Sequence, residues 1–433
     1  MNMKEFLGCL ALMTAAVSSA QEWSIEAVDS LASYPSIAID SNDCPHIAYC
    51  SDNEILKYAM WNGSEWEFQI VDSTGSVGGA ASLALDSQDN PHIAYYDGSD
   101  CSLKYTRWDG SSWVTTTIRD SGGWISLALD SSGNPHIAFC DYETEYPEVW
   151  YASWTGTHWL TSMVSYPGGF YPSIAVDSSD RPHLSYHQEY GYDLEYAYLN
   201  SNLEWEKTQV DTDGGTNTSI AVSSTDYPHI SYTSSDGYLK TASWNGSSWE
   251  TECVDDAVGW TSLVLNSSDN PRIAFYSTED EMLSYASWNG SDWEIDAVDT
   301  IGEVSWRMQC TLALDSSQNP HMVYTDHNCN LKYAWKQGQE TPDESGGFSS
   351  IEIQPNPFAS ELSITYSLAE SADAEVSVFD ILGRRQVNLV QGQLPHGENT
   401  IVWSPEYMIP AGIYFVVLES AGERVASRVV LIR

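Results

Sequence analysis

Basic residues are scarce in this sequence, and long apolar runs are absent. The 433 residues include 17 Lys and Arg against 61 Asp and Glu, which gives a formal net charge of -44. Such a chain repels nucleic-acid phosphates and anionic membrane surfaces, so nucleic acid is not an expected partner. No run of about 18 apolar residues occurs, and we therefore expect no transmembrane segment.

The short motifs of common catalytic and metal sites are missing as well. None of the 8 cysteines belongs to a CxxC pair, which argues against zinc. No GxSxG elbow, HExxH helix or phosphate-binding loop occurs. A sialidase-like site needs clustered arginines, but the arginines between residues 21 and 338 fall at unrelated repeat positions. We expect binding rather than catalysis and no cofactor, with structural calcium on repeated aspartates as the weaker alternative.

What the sequence does contain is a repeat with a period of about 45 residues. Its clearest copy is NPHIAYYD, residues 90–97, and the equivalent prolines are Pro45, Pro91, Pro135, Pro182, Pro228, Pro271 and Pro320. The unit from Ser82 contains four alternating runs, which we name strands A (SLALD), B (HIAYY), C (LKYTRW) and D (WVTTTI). Dipeptides such as Asn62-Gly63 between C and D predict two-residue hairpins.

Repeated four-stranded meanders predict an all-β, seven-bladed β-propeller. The seventh unit lacks strand D, whereas residues 22–29, EWSIEAVD, form a D strand without a blade. We predict that this N-terminal strand completes the last blade and closes the ring. Residues 1–20 fit a cleaved secretory signal peptide. The predicted domains are therefore the signal peptide at 1–20, the propeller at 21–338, a linker at 339–348 and a small Ig-like β-sandwich at 349–433.

The last region carries the segments QPNPF (354–358), VFDILGRR (378–385), HGENTIVW (396–403), PAGIYFVVLE (410–419) and SRVVLIR (427–433). Together they resemble the type A sorting domain of the bacterial type IX secretion system. That resemblance implies export by the secretion machinery, cleavage of the domain, and a mature protein that is secreted or on the outer cell surface. The repeats resemble secreted bacterial propellers that are loosely grouped with sialidases and fucose-binding lectins, and this resemblance implies a scaffold only.

The histidine of the repeat recurs as His46, His92, His136, His183, His229 and His321, and Arg272 replaces it in the sixth unit. Side chains at one position of strand B lie on a wide ring, so they cannot converge on one metal ion. The arginine that takes the place of the histidine in the sixth unit could not ligate a metal ion. We interpret the histidine as part of the scaffold, where it hydrogen-bonds a turn or a neighbouring blade.

The loops of the repeat divide into two sets. The A–B and C–D turns, which we call the uniform face, are similar in all repeats, whereas the B–C and D–A loops, the varied face, differ in length and composition. The varied face is predicted to carry aromatic residues and carboxylates that suit stacking and hydrogen bonding to sugars. These candidate ligand-binding residues are Trp124, Phe170, Tyr171, Trp260, Trp306, Asp141, Glu143, Glu189 and Asp193.

Several interpretations of this face remain open. The aromatic residues could instead plug the mouth of the channel, and the same residues suit a basic peptide or protein partner. A secreted glycosidase that uses two carboxylates is the leading alternative from another functional class. We further predict a disulfide between Cys310 and Cys329, which both belong to the varied face of one repeat, and a monomeric protein.

Overall fold

A computed structural model describes the fold. It covers residues 23–51, 53–142, 145–188, 193–255, 258–278, 280–302, 309–336, 348–354, 358, 360–368, 371–380, 384–395, 397–405, 409–410, 412–420 and 423–431. These residues form 35 strands and no helix, and the chain divides into two compact units at residues 1–337 and 338–433. The predicted signal peptide, most of the linker, Trp306, Glu143 and Glu189 lie outside the described residues.

The first unit begins with strand β1 (Ser24–Asp29) and continues with antiparallel four-stranded sheets. Sheet 1 contains β2 (Ala32–Ile39), β3 (Pro45–Ser51), β4 (Leu56–Trp61) and β5 (Trp66–Asp72). Sheet 2 contains β6 (Val77–Leu85), β7 (Pro91–Asp97), β8 (Ser102–Trp108) and β9 (Trp113–Arg119). Sheet 3 contains β10 (Gly123–Leu129), β11 (Pro135–Asp141), β12 (Glu148–Trp154) and β13 (Trp159–Ser165).

Four further sheets continue the same order. Sheet 4 contains β14 (Phe170–Val176), β15 (Pro182–Gln188), β16 (Asp193–Leu199) and β17 (Trp205–Asp211). Sheet 5 contains β18 (Thr216–Val222), β19 (Pro228–Thr233), β20 (Leu239–Trp244) and β21 (Trp249–Asp255). Sheet 6 contains β22 (Val258–Leu265), β23 (Pro271–Ser277), β24 (Met282–Trp288) and β25 (Trp293–Thr300). Sheet 7 contains β26 (Cys310–Leu314), β27 (Pro320–Thr325), β28 (Leu331–Trp335) and β1.

The N-terminal strand completes sheet 7, as the sequence predicts. Ser24 of β1 pairs with Trp335 of β28 in an antiparallel register, so the two ends of this unit share one sheet. Strand A of each sheet contacts strand A of the next, and β26 contacts β2. This succession of four-stranded sheets fits a β-propeller.

A circle of hydrogen bonds joins the A strands. In each step a backbone N–H donates to a hydroxyl oxygen of the preceding sheet, with N···O distances of 2.9–3.2 Å. The acceptors are Ser36, Ser82, Ser126, Ser173, Ser219, Ser262 and Thr311, and the donors are Leu83, Leu127, Ile174, Ile220, Leu263, Leu312 and Ile37. The last bond, from Ile37 to Thr311, links sheet 7 to sheet 1.

The C–D connections differ from the predicted two-residue hairpins. Trp61 and Trp66 pair directly across the strands, so residues 62–65 form a four-residue loop. Asn62 Oδ1 accepts hydrogen bonds from the backbone N–H groups of Ser64 and Glu65 at 2.9 and 3.0 Å, and Gly63 adopts a φ of 94°. The asparagine thus organises a longer turn than the dipeptide signal indicates.

The second unit contains β29 (Phe348–Gln354), β30 (Leu362–Leu368), β31 (Ala372–Asp380), β32 (Arg385–Leu394), β33 (Gly397–Trp403), β34 (Gly412–Ser420) and β35 (Glu423–Leu431). One sheet has the order β29-β30-β33 and the other β32-β31-β34-β35. Both sheets contribute to one buried core, with Ile364 and Trp403 from the first and Val376 and Val416 from the second.

Candidate functional site

Five of the six repeated histidines lie in hydrogen-bond networks within the scaffold, on the side of the uniform face. His183 Nδ1 is 2.6 Å from the hydroxyl of Tyr196, and His183 Nε2 is 3.2 Å from Asp177. The same Asp–His–Tyr arrangement joins Asp40–His46–Tyr58, Asp86–His92–Tyr105, Asp130–His136–Tyr151 and Asp315–His321–Tyr333. Burial lowers the pKa of His46, His92, His136 and His183, which keeps them neutral. The interpretation as scaffold is confirmed.

The tyrosine of this network also connects neighbouring sheets. Tyr196 of sheet 4 meets the edge of Trp249 of sheet 5, with ring centroids 5.1 Å apart. Equivalent pairs are Tyr58–Trp113, Tyr105–Trp159, Tyr151–Trp205, Tyr285–Trp23 and Tyr333–Trp66, at 5.1–5.5 Å. Edge-to-face packing of this kind stabilises each junction beyond the area it buries.

The A–B turns are tied across the junctions by a second network. The backbone N–H and hydroxyl of Ser131 in sheet 3 donate to the two carboxylate oxygens of Asp180 in sheet 4, at 2.8 and 2.9 Å. The same contact joins Ser41 to Asp89, Ser178 to Asp226, Ser224 to Asp269 and Ser316 to Asp43. Among the described residues, no group of three His, Cys, Asp or Glu side chains could hold a metal ion. The uniform face is therefore built from contacts that fasten one sheet to the next.

The varied face brings three of the predicted aromatic residues into mutual contact. The ring centroid of Trp124 lies 4.5 Å from that of Tyr171 and 5.4 Å from that of Trp260, and Tyr171 and Trp260 are 5.6 Å apart. Phe170 extends the cluster, 6.2 Å from Tyr171. We call these four residues the aromatic cluster, and each of them is only partly buried.

Backbone geometry places two of these rings at the centre. Trp124 and Tyr171 lie two residues before the hydroxyl acceptors Ser126 and Ser173, at irregularities in the A–B pairing, and adopt φ values of 47° and 53°. Tyr34, Ala80 and Asn217 have the same position and a positive φ. Non-glycine residues avoid this conformation unless the surrounding structure requires it. Five strands A thus share one bulge, and the residue at the bulge differs from sheet to sheet.

A cavity of about 210 Å³ lies among the A strands beside the aromatic cluster. Trp124, Tyr171 and Trp260 line it together with Gln309 and Ala80. Below them, the hydroxyl-bearing residues of the hydrogen-bonded circle contribute a ring of polar atoms. The arrangement offers aromatic faces beside hydroxyl and amide groups, which suits a small polar ring or a polar side chain.

The predicted carboxylates lie in different environments. Asp141 is 1% exposed, and its carboxylate accepts hydrogen bonds from Arg119, at 2.9 and 2.7 Å, and from Ser121. The carboxylate of Asp141 therefore forms part of the contact between sheets 2 and 3. Asp193 is partly exposed and accepts a hydrogen bond from Gln209 Nε2 at 2.5 Å.

Two residues of the varied face are absent from the sequence prediction. Tyr142, at the B–C loop of sheet 3, is 44% exposed, and its ring lies 6.3 Å from Phe170. Glu195 is half-buried on strand C of sheet 4, and burial, with the nearby charge of Asp193, raises its pKa. Glu195 pairs with Tyr186 on the neighbouring strand, and this position can be assigned only when the strand register is known.

The predicted disulfide between Cys310 and Cys329 is not formed in the structure, where both are thiols. Cys310 is buried and its sulfur lies 3.9 Å from the carbonyl oxygen of Trp260, on the side of sheet 6. Cys329 lies in the B–C turn and lines a cavity with Leu31 and Ala32, on the side of sheet 1. The two cysteines therefore belong to opposite junctions of sheet 7, which sequence position alone does not indicate.

Residues 352–432 match the family described as the secretion system C-terminal sorting domain. No curated protein sequence matches the chain. Among solved structures, an ulvan lyase of polysaccharide lyase family PL25 has 15% identity and a TM-score of 0.51, with 72% of this chain and 94% of that chain covered. This likeness is one of fold alone.

Two other similar structures have lower scores. The fucose-specific lectin from Aleuria aurantia has 13% identity and a TM-score of 0.46, with 65% of this chain and 100% of the lectin covered. A Hadza microbial sialidase has 9% identity and a TM-score of 0.42, with 67% and 76% covered. The described residues include no helix capable of crossing a bilayer. The C-terminal region is a sorting domain of the type IX secretion system, and it indicates export and a location that is secreted or on the outer cell surface.

Proposed function

We propose that the exported protein is a seven-bladed propeller that binds carbohydrate through the aromatic cluster on its varied face. The observation that carries the proposal is the mutual packing of Trp124, Tyr171 and Trp260 beside a polar cavity of about 210 Å³. Aromatic faces stack on the apolar C–H faces of sugars, and neighbouring hydroxyl and amide groups hydrogen-bond their oxygens. Trp306, Glu143 and Glu189 remain predicted members of this surface.

The remaining parts of the proposal concern the whole chain. The signal peptide at residues 1–20 is removed, and residues 21–338 form the ring as a monomer. Residues 349–433 form an Ig-like sandwich that recruits the type IX machinery and is then cleaved. The match of residues 352–432 to the sorting domain and the pairing of β1 with β28 support this organisation.

A glycan-array screen tests the binding proposal. The exported protein and its Trp124→Ala and Trp260→Ala variants are compared, and we expect each change to weaken binding by about tenfold, the effect of losing one stacked aromatic ring. Trp108→Ala is the matched control, because Trp108 is a partly buried tryptophan at the end of strand C, next to a C–D loop of the uniform face.

Specific binding that is lost in the two variants and kept in the control would support a lectin. Equal binding by all three variants would contradict the proposed surface. Absence of binding to a broad array would reject the carbohydrate proposal and favour a protein partner, for which a basic peptide is the complementary probe given the net charge of -44.

A second candidate function, a glycosidase, is favoured by one observation. Glu195 is half-buried beside Asp193, and burial raises the pKa of Glu195, which is the direction that suits the general acid of a two-carboxylate glycoside hydrolase. Release of reducing ends from polysaccharides, lost in Glu195→Gln, would support the enzyme. No release from the unchanged protein would reject it.

A further inference from the structure

The junction between sheets 5 and 6 departs from the other six junctions. At the strand C position where sheets 1, 2, 3, 4, 6 and 7 carry Tyr58, Tyr105, Tyr151, Tyr196, Tyr285 and Tyr333, sheet 5 carries Thr241. The equivalence follows from the register, because Thr241 pairs with Ser231 as Tyr58 pairs with Ala48. The tryptophan that the tyrosine would meet is retained as Trp293.

Sheet 5 also lacks the aspartate that is the second partner of the repeated histidine in other sheets. Ser223 stands where five other sheets have an aspartate whose carboxylate lies 3.2–3.7 Å from the histidine Nε2. Among the described residues, the side chain of His229 has no hydrogen-bond partner, and it is more exposed than the buried His183. Burial lowers the pKa of His229, so the ring is neutral and one of its nitrogens is a free acceptor.

A cavity of about 290 Å³ occupies this junction. His229, Thr241 and Trp293 line it, so it lies at the place that a tyrosine ring fills elsewhere. The junction of sheets 4 and 5 has a cavity as well, but there Tyr196 is present and its hydroxyl is bonded to His183. Among the junctions that the structure describes, the one at Thr241 is the only one where a cavity lies at a position that lacks the tyrosine ring.

The filled junctions show what fits the vacant position. Four phenol hydroxyls lie 2.5–2.6 Å from a histidine Nδ1, and each ring meets a tryptophan edge-to-face at 5.1–5.5 Å. A ligand ring with a para-hydroxyl group would reproduce both contacts, with His229 as acceptor and Trp293 as the aromatic wall. An engineered cavity in a protein interior can take up a free aromatic ring such as benzene.

Charge narrows the choice of ligand. The cavity lining contains the carboxylates of Glu250, Glu252 and Asp269 and no lysine or arginine. Glu252 accepts a hydrogen bond from Trp293 Nε1 at 3.3 Å, which places its carboxylate beside the aromatic wall. A positive charge on the ligand would therefore be favoured and a negative charge disfavoured.

We propose that the cavity between sheets 5 and 6 is a binding site for the 4-hydroxyphenyl group of a cationic ligand, either a free phenolic amine or a tyrosine side chain next to a lysine. The hydroxyl donates to His229, the ring packs against Trp293, and the ammonium group lies near Glu250 and Glu252. The site lies on the side of the uniform face, so it does not depend on carbohydrate binding by the aromatic cluster.

Calorimetric titration of the full chain with tyramine tests the site. We expect one saturable site, and about tenfold weaker binding of phenethylamine, which lacks the hydroxyl that His229 accepts. The anion 4-hydroxyphenylacetate should bind more weakly than tyramine. The tripeptide Lys-Tyr-Lys is titrated in parallel, and whichever of the peptide and tyramine binds more tightly identifies the source of the phenol.

The decisive variant is Thr241→Tyr, which restores the residue of the other junctions. It should abolish tyramine binding and leave the melting temperature equal or higher, because the ring fills the cavity. Thr251→Tyr is the matched control, since Thr251 is exposed on the adjacent strand D, and it should bind normally. In His229→Phe, tyramine and phenethylamine should bind equally.

Three results would overturn the proposal. The first is no saturable binding of tyramine or the peptide by the unchanged protein. The second is tyramine binding that survives in Thr241→Tyr. The third is a Thr241→Tyr variant that is less stable than the unchanged protein, because that would show that the cavity does not have the shape of the tyrosine ring.

Discussion

The uniform and varied faces of the propeller are made by the same strands but follow different rules. On the uniform face, one set of contacts recurs from sheet to sheet, as the Asp177–His183–Tyr196 network shows. On the varied face, the common bulge carries Trp124 in sheet 3, Ala80 in sheet 2 and Asn217 in sheet 5. The backbone is conserved between sheets on both faces, whereas the side chains repeat only where they fasten the ring. Function is therefore to be sought where a side chain departs from the repeat.

The largest expected effect is a loss of stability in acid, which should come from the repeated histidines of the uniform face and not from the varied face. His46, His92, His136, His183 and His229 have a pKa held below the ordinary 6.5 by burial, so the unfolded chain binds more protons as the pH falls below that value. Stability should be fully present above pH 6.5 and should fall below it, by up to about 1.4 kcal/mol per pH unit for each histidine.

Guanidinium denaturation between pH 8 and pH 5 measures this loss. His158→Gln is the control, because His158 lies exposed in a C–D loop and the profile of the variant should match the unchanged protein. Stability that stays constant down to pH 5 would contradict the role given to the histidine networks.

A single network should show the next largest effect. The side chain of Asp177 is fully buried and accepts hydrogen bonds from Arg181 at 2.6 Å and from the backbone N–H of Ser179 at 2.9 Å, besides its contact with His183. Asp177→Ala leaves these donors unpaired, and we expect the free energy of unfolding to fall by about 3–5 kcal/mol.

The repeat supplies the control for this change. Ser223 occupies the equivalent place in sheet 5 and accepts a hydrogen bond from the backbone N–H of Tyr227 at 3.0 Å. Asp177→Ser should therefore be less destabilising than Asp177→Ala in the same denaturation experiment. Equal losses for both variants would mean that the turn contacts do not matter.

The circle of hydroxyl acceptors at the centre should contribute less per residue. Ser126 Oγ accepts the backbone N–H of Ile174 at 3.2 Å, and Ser126→Ala should lower the free energy of unfolding by about 1–2 kcal/mol. Ser126→Thr should retain most of the stability, because Thr311 fills the equivalent position and accepts the N–H of Ile37 at 3.1 Å. A threonine variant as unstable as the alanine variant would contradict the assigned bond.

The sequence predicted the uniform face better than the varied one. The period, the four strands and the pairing of β1 with β28 follow from alternation and turn signals, and the structural role of His183 follows from its repetition. These features are periodic, so each copy is evidence for the others. The four-residue loop at residues 62–65 was missed because the dipeptide Asn62-Gly63 specifies a positive φ but not the loop length.

The candidate site was harder to predict, because it depends on positions that do not repeat. All four rings of the aromatic cluster were among the predicted residues, yet Tyr142 was missed because its contact with Phe170 joins residues of different sheets. Asp141 is buried against Arg119 of the preceding sheet, and this contact is not signalled by any repeated sequence position. Cys310 and Cys329 both belong to the varied face, but Cys310 lies on the side of sheet 6 and Cys329 on the side of sheet 1.

The smallest expected change in stability is at Tyr142, and it tests the varied face directly. Tyr142→Ala should alter the free energy of unfolding by less than about 0.5 kcal/mol, because the ring is 44% exposed. If the aromatic cluster binds sugar, the same change should weaken glycan binding roughly two- to tenfold. Tyr227→Ala is the matched control, since Tyr227 is 41% exposed in an A–B turn of the uniform face. Equal effects of the two variants on binding would erase the functional difference between the faces, whereas an effect confined to Tyr142 would extend the binding surface beyond the central cavity.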